Sequence, residues 1–129
     1  MITVISSAHF SVSELECHCG HCRFPGMSEE FMDLLERVRD IVEAPLSLSS
    51  AYRCPVHNNV VSSTGSNGPH TTGRAVDIKC SGNKAHKVLD AAMGVGMTGI
   101  GIKQKGNHAT RFIHVDNLTN GLRPWVWSY

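Results

Sequence analysis

No run of apolar residues in this chain approaches the roughly 20 that a membrane-spanning helix needs. Charge of one sign is not in surplus either. Twelve Lys and Arg stand against 11 Asp and Glu, a formal net charge of +1 with neutral histidines. So balanced a surface gives no electrostatic case for nucleic acid or an acidic membrane as partner. The opening Met1-Ile2-Thr3-Val4-Ile5-Ser6-Ser7 lacks the basic region and apolar stretch of a secretory signal, so accumulation in the cytoplasm is expected. The 129 residues contain no internal repeat and no long linker, which suits one domain, 1–129, around one core. A domain of that length buries enough apolar surface to fold without staples.

Five cysteines, an odd number, argue against a full disulfide framework in a reducing compartment. Eight histidines is high for the length, and metal chemistry is one explanation.

Ser11-Val12-Ser13-Glu14 has capping-box spacing and opens a short helical turn. Cys17 to Gly26 reads as irregular. Ser28 then caps a helix to about Glu43, with Phe31, Leu34, Leu35, Val38, Ile41 and Val42 forming one buried stripe. Glu29, Glu30 and Asp33 suit the dipole at its start, and Pro45 ends it. Leu46 to Ser50 alternates like a strand. Pro55 to Val61 reads as a short helix with Pro55 near its start. Ser62 to Gly68 is loop-like. Strands follow at Arg74–Lys79, Thr98–Lys103 and Arg111–Asp116, with a helix at Asn83–Met93 that turns Ala85, Val88, Leu89 and Ala92 inward. Gln104 to Ala109 reads as a hairpin loop, and Trp125-Val126-Trp127 as a last short strand. The expected class is α+β, a largely antiparallel sheet with helices on one face and the functional site on the other.

Side chains alternate along a strand. Ala75 and Asp77 therefore share one face of their strand, as do Phe112, His114 and Asp116 of theirs, while Val76, Ile78, Ile113 and Val115 point to the core. His70 enters from the loop before its strand, with Gly73 easing the turn. Two imidazoles and a carboxylate, His70, Asp77 and His114, are the ligand types that hold a catalytic zinc ion with a fourth position open for water. Water so held ionises near neutral pH and can attack an amide carbonyl. The constellation reads as a small metallohydrolase.

His70, six residues, Asp77, and later His114 on a strand resembles the zinc D-alanyl-D-alanine metallopeptidases. That family includes D,D-carboxypeptidases, D,D-dipeptidases and phage L-alanyl-D-glutamate endolysins, with the hedgehog domain and the penicillin-insensitive murein endopeptidase more distant in fold. Ser50-Ala51-Tyr52-Arg53-Cys54-Pro55-Val56-His57-Asn58 looks like the Tyr-Arg segment before the family's metal motif. Phe10 to Gly20 looks like the start of short phage and prophage members. The resemblance implies His70, Asp77 and His114 as zinc ligands. It implies Arg53 as the group that binds a substrate carboxylate or the developing oxyanion, work that suits an always-charged, bidentate guanidinium.

The match weakens at the general base. Many relatives carry an acid three residues before the last ligand; here that residue is Arg111. Asp116, roughly 7 Å along the strand from His114, is one candidate, either as the base or as a carboxylate that orients a ligand imidazole. His108, in the preceding loop, is the other. Gly68 stands where relatives tend to carry Ser, so that hydroxyl is absent or comes from Ser66.

Cys19 and Cys22 form a CxxC pair. With Cys17 and either Cys54 or His57 they suit a second, structural zinc site. Buried thiols or a disulfide are the alternatives. A nucleic-acid-binding zinc knuckle lacks the basic residues and interleaved aromatics it needs. Cys80 reads as packed. Trp125, Trp127 and Tyr129 suit a substrate groove or edge packing.

The expectation is a zinc peptidase acting on peptidoglycan stem peptides, as a D,D-carboxypeptidase or an endopeptidase. It would be a phage or prophage endolysin made in the bacterial cytoplasm and acting on the wall after release. No nucleic acid or stable membrane partner is expected, and nothing demands more than a monomer. The rival is a non-catalytic zinc-bearing binding domain of the same fold, which the missing acid at Arg111 favours.

Overall fold

A computed structural model describes residues 2–129; of the N-terminal stretch read above, Met1 lies outside the described residues. The chain begins with β1 (Thr3–Val4), then α1 (Val12–Leu15), where Ser11 and Glu14 complete the capping box. β2 (Met27–Ser28) pairs antiparallel with β1. This two-residue ribbon is absent from the sequence reading, because pairs so short carry no alternation to detect.

α2 (Glu29–Val42) starts where Ser28 Oγ accepts the Phe31 N–H at 3.3 Å, and stops at Glu43 in the left-handed region. Its buried stripe is Phe31, Met32, Leu35, Val38 and Val42. Ile41, expected inside, is 55% exposed, and Leu34 is half-buried. At roughly 100° per residue, Ile41 lies furthest from the stripe's axis, and the core extends instead toward Met32.

β3 (Ser47–Ser50) leads to α3 (Pro55–Val61), with Pro55 in its first turn and Cys54 as N-cap. Two 3-10 turns, Gly65–Asn67 and Pro69–Thr72, cross to β4 (Ala75–Lys79). α4 (Gly82–Gly94) buries Ala85, Val88, Ala91 and Ala92, while Leu89 is half-buried. β5 (Gly99–Lys103), β6 (Phe112–Asp116) and β7 (Trp125–Ser128) complete the chain. The link from β5 to β6 holds a 3-10 turn at His108–Thr110 instead of a plain hairpin loop.

The main sheet has the order β3-β4-β6-β5-β7. All its pairs are antiparallel except β5 with β7, which run parallel. The class is thus α+β with a largely antiparallel sheet. Val76, Ile78, Ile100, Ile113 and Val115 join Phe31, Leu35 and Val38 of α2 and Val88 and Ala92 of α4 in one core. Each large aliphatic or aromatic side chain buried there contributes about 1.5–3 kcal/mol relative to exposure. That packed face fixes the register, and the register decides what stands on the opposite face.

Candidate metal centre

Asp77 and His114 are direct cross-strand partners on β4 and β6. Their side chains leave the sheet on the face away from α2 and α4. His70 joins them from the Pro69–Thr72 turn, which ends at Gly73 with φ 72°. A Cβ at Gly73 would stand 3.1 Å from the Gly26 carbonyl oxygen, so both backbone sign and space call for glycine. Asp77 Oδ1 lies 3.2 Å from His70 Nε2 and 3.0 Å from His114 Nδ1. All three side chains are buried.

The far nitrogen of each imidazole is anchored. His70 Nδ1–H donates to the Ala51 carbonyl at 2.7 Å, so Nε2 is the nitrogen that faces Asp77. His114 Nε2–H donates to Asp116 Oδ2 at 2.8 Å, so Nδ1 is the nitrogen that faces Asp77. Carbonyl and carboxylate partners of this kind fix the ring orientation and tautomer of metal-binding histidines.

One ligand atom from each of His70, Asp77 and His114 lies within 4.8 Å of the others. A tetrahedron with zinc–donor bonds of ~2.1 Å has edges of roughly 3.4 Å, close to the 3.0 and 3.2 Å separations here. The donor set, its spacing and the anchoring of both rings through their far nitrogens fit a zinc ion.

Burial alone would raise the Asp77 carboxyl. Hydrogen bonds from His114 and His70 outweigh it and hold the group well below the ordinary carboxylate range. Asp116 is similar: against burial, its bonds to His114 and Arg123 bring it down to about 2. Burial opposes charge on His114, but Asp116 and Asp77 together push its pKa up.

Arg53 stands beside the triad. Its Nε–H donates to Ser50 Oγ at 2.9 Å, Nη1 to Asn58 Oδ1 at 3.1 Å and Nη2 to Asp77 Oδ2 at 3.4 Å. Asp116 is fully buried, and Arg123 grips both its oxygens, at 2.9 Å (Nε) and 2.8 Å (Nη2). Its Oδ1 also accepts the Leu118 N–H. Glycines on β5 make the room: a Cβ at Gly99 would collide with the Asp116 carboxylate, and one at Gly101 would stand 2.6 Å from Trp127 Nε1.

The triad and Arg53 line a cavity of about 1080 Å³, walled by Trp125, Trp127 and Tyr129. The Trp127 ring lies 5.0 Å from His114 and 5.1 Å from the Arg123 guanidinium carbon. His108 is exposed and outside this lining, which takes in its neighbours Ala109, Thr110 and Arg111. Ser66 is also outside it, and Gly68 is packed against Thr64 and Asn58. Arg123 and Asn58 escaped the sequence reading. Asn58 carried a weak signal, five residues after Arg53 and inside the short helix that follows it; Arg123 lies in a stretch no periodicity governs.

A second cluster lies apart. Cys17, Cys19, Cys22 and Cys54 bring their Sγ atoms within 4.8 Å of one another, so the fourth member is Cys54 instead of His57. Backbone N–H groups of His21 and Cys22 hold the Cys19 thiol down at about 6. Burial and the neighbouring Cys19 push Cys22 up to about 12. Cys80 is buried elsewhere, its thiol pushed up to about 11 by that burial.

Two imidazoles and a carboxylate, anchored from behind and opening on a cavity, define a metallohydrolase-type centre. The sequence profile of the Peptidase M15 family matches residues 8–116, and the chain belongs to that family of zinc-dependent peptidases. The matched span includes the triad, Arg53, Asp116 and all four clustered cysteines. No curated protein matches the chain.

Proposed function

We propose that this metallopeptidase hydrolyses amide bonds in the peptide stems of bacterial peptidoglycan, as a D,D-carboxypeptidase or an endopeptidase. We place it as a phage or prophage endolysin, made in the host cytoplasm and acting on the wall. The observation that carries the reading is the His70–Asp77–His114 triad on the floor of an open cavity with Arg53 beside it. Bound there, a zinc ion supplies Lewis-acid polarisation of the scissile carbonyl and a water acidified to near neutrality.

The chain's own groups do the rest. Lys79, Arg53, Arg111 and Arg123 line the cavity, with Asp77 the one acid among the lining residues. That balance suits a substrate bearing free carboxylates, as stem peptides do. Arg53 offers a fixed positive charge to a substrate carboxylate or to negative charge developing on the carbonyl oxygen. Trp125, Trp127 and Tyr129 offer apolar walls to the peptide. Asp116 has both oxygens engaged by His114 and Arg123, which suits the orienting role better than that of a base.

The test is incubation of the purified protein with peptidoglycan, with and without a chelator, followed by mass spectrometry of released fragments. New peptide ends that vanish with the chelator are the expected result. Fragment masses distinguish L-Ala–D-Glu cleavage, D-Ala–D-Ala trimming and cross-link cleavage. A metal-loaded protein that releases nothing overturns the reading in favour of a binding domain.

A further inference from the structure

The four-cysteine cluster lies outside the cavity, and the proposed reaction makes no use of it. Cys17, Cys19 and Cys22 come from the irregular segment after α1, and Cys54 from the start of α3. Cys19 Sγ and Cys54 Sγ stand 3.8 Å apart. A zinc ion with four sulfur ligands at ~2.3 Å has sulfur–sulfur edges of roughly 3.8 Å. Two disulfides would instead draw the sulfurs into pairs at about 2.05 Å. Three backbone N–H groups point at the sulfurs: Cys54 at Cys17, His21 at Cys19 and His57 at Cys54, each at 3.4 Å. Such donors stabilise thiolate charge. Four ligands close the coordination sphere, the mark of a structural site.

The cluster and the triad are joined by one short segment. The Ala51 carbonyl anchors His70 Nδ1, and the Tyr52 N–H donates to the Leu15 carbonyl at 3.1 Å. The Arg53 N–H donates to the His70 carbonyl at 3.0 Å while its side chain reaches Asp77. Cys54, the next residue, is a cluster member. We propose that Cys17, Cys19, Cys22 and Cys54 bind a structural zinc ion, and that this ion fastens residues 51–54 so that Arg53 stays aimed at the His70–Asp77–His114 centre. The second half rests on the peptidase reading; the first does not.

The first half is tested in the His70→Ala/His114→Ala variant. It should retain about one zinc per chain. Its cobalt-substituted form should show thiolate-to-cobalt charge transfer in the near ultraviolet, and adding Cys19→Ser/Cys22→Ser should remove both signals. No metal and no such band, or intact-mass evidence of disulfides, would overturn it. For the second half, the Cys54→Ser variant, with zinc at the His70–Asp77–His114 centre but the structural ion lost, should raise KM for a stem peptide roughly 10–100-fold, with a smaller change in kcat. Cys54→His, which restores a zinc ligand, should rescue it. If Cys54→Ser loses the structural ion yet keeps its KM, Arg53 needs no such fastening. Absence of peptidase activity in the wild type removes the second half, while the metal count and cobalt spectrum still decide the first.

Discussion

The two ligand clusters are built in opposite ways. Asp77 and His114 stand on neighbouring strands at the centre of the sheet, in a register set by Val76, Ile78, Ile113 and Val115 packing beneath them. The cysteines stand on loops and a helix cap, with little regular structure to hold them. In the first, the fold places the ligands and, on our proposal, a cation held there would serve chemistry. In the second, on our proposal, the cation places the chain. On that proposal a preorganised site and a folding staple share one chain, and substitutions should tell them apart.

The largest effect is expected from the triad. His70→Ala or His114→Ala should remove metal from that centre and abolish peptidoglycan cleavage, while circular dichroism reports an intact fold. Unfolding of either variant on purification would show that the sheet alone does not hold the site. Next, Cys19→Ser/Cys22→Ser should lower the melting temperature by on the order of 10 °C by calorimetry, as loss of a structural ion implies. An unchanged midpoint would erase the contrast between the clusters. Asp116→Asn and Arg123→Ala should each cost roughly 10–100-fold in activity or metal affinity, the range for groups that orient a ligand. Complete loss of turnover in Asp116→Asn with metal affinity unchanged would make Asp116 the base instead.

The smallest effect concerns pH. In chelator-treated protein, the Asp116 carboxyl is depressed to about 2. Its contribution to stability is fully present above the unfolded value of about 3.9 and is lost as pH falls through about 2. The stability gap between wild type and Asp116→Asn should accordingly shrink across that window in acid-unfolding curves. A gap independent of pH would mean that packing, not charge, holds His114.

The same contrast explains what was legible in the sequence. Period-two alternation put Asp77, His114 and Asp116 on one face, because a buried sheet face makes alternation obligatory. The caps at Ser11 and Ser28 and the helix start at Pro55 lie where hydroxyl and proline chemistry marks them, whereas Cys54 as a cap was not legible. The CxxC spacing flagged Cys19 and Cys22. It left Cys54 and His57 as equal partners, since both lie on one turn of α3 and only three-dimensional approach selects between them. Arg123 was invisible because its link to Asp116 crosses an irregular stretch. The parallel direction of β7 was equally hidden, since strand alternation carries no information about direction. Ile41 was misplaced by a stripe drawn one residue too wide.

The cavity's walls differ in how freely they can change. Residues 51–54 are tied at one end to His70 and at the other to the cysteines, so a substitution there disturbs both neighbourhoods at once. Trp125, at the start of β7, and Tyr129, just past its end, stand on an edge strand held to the sheet through β5 alone, while Trp127 between them packs against His114. Tailoring of bond preference by evolution or by design has its freest ground at Trp125 and Tyr129, where new side chains can be tried without disturbing the packing on His114.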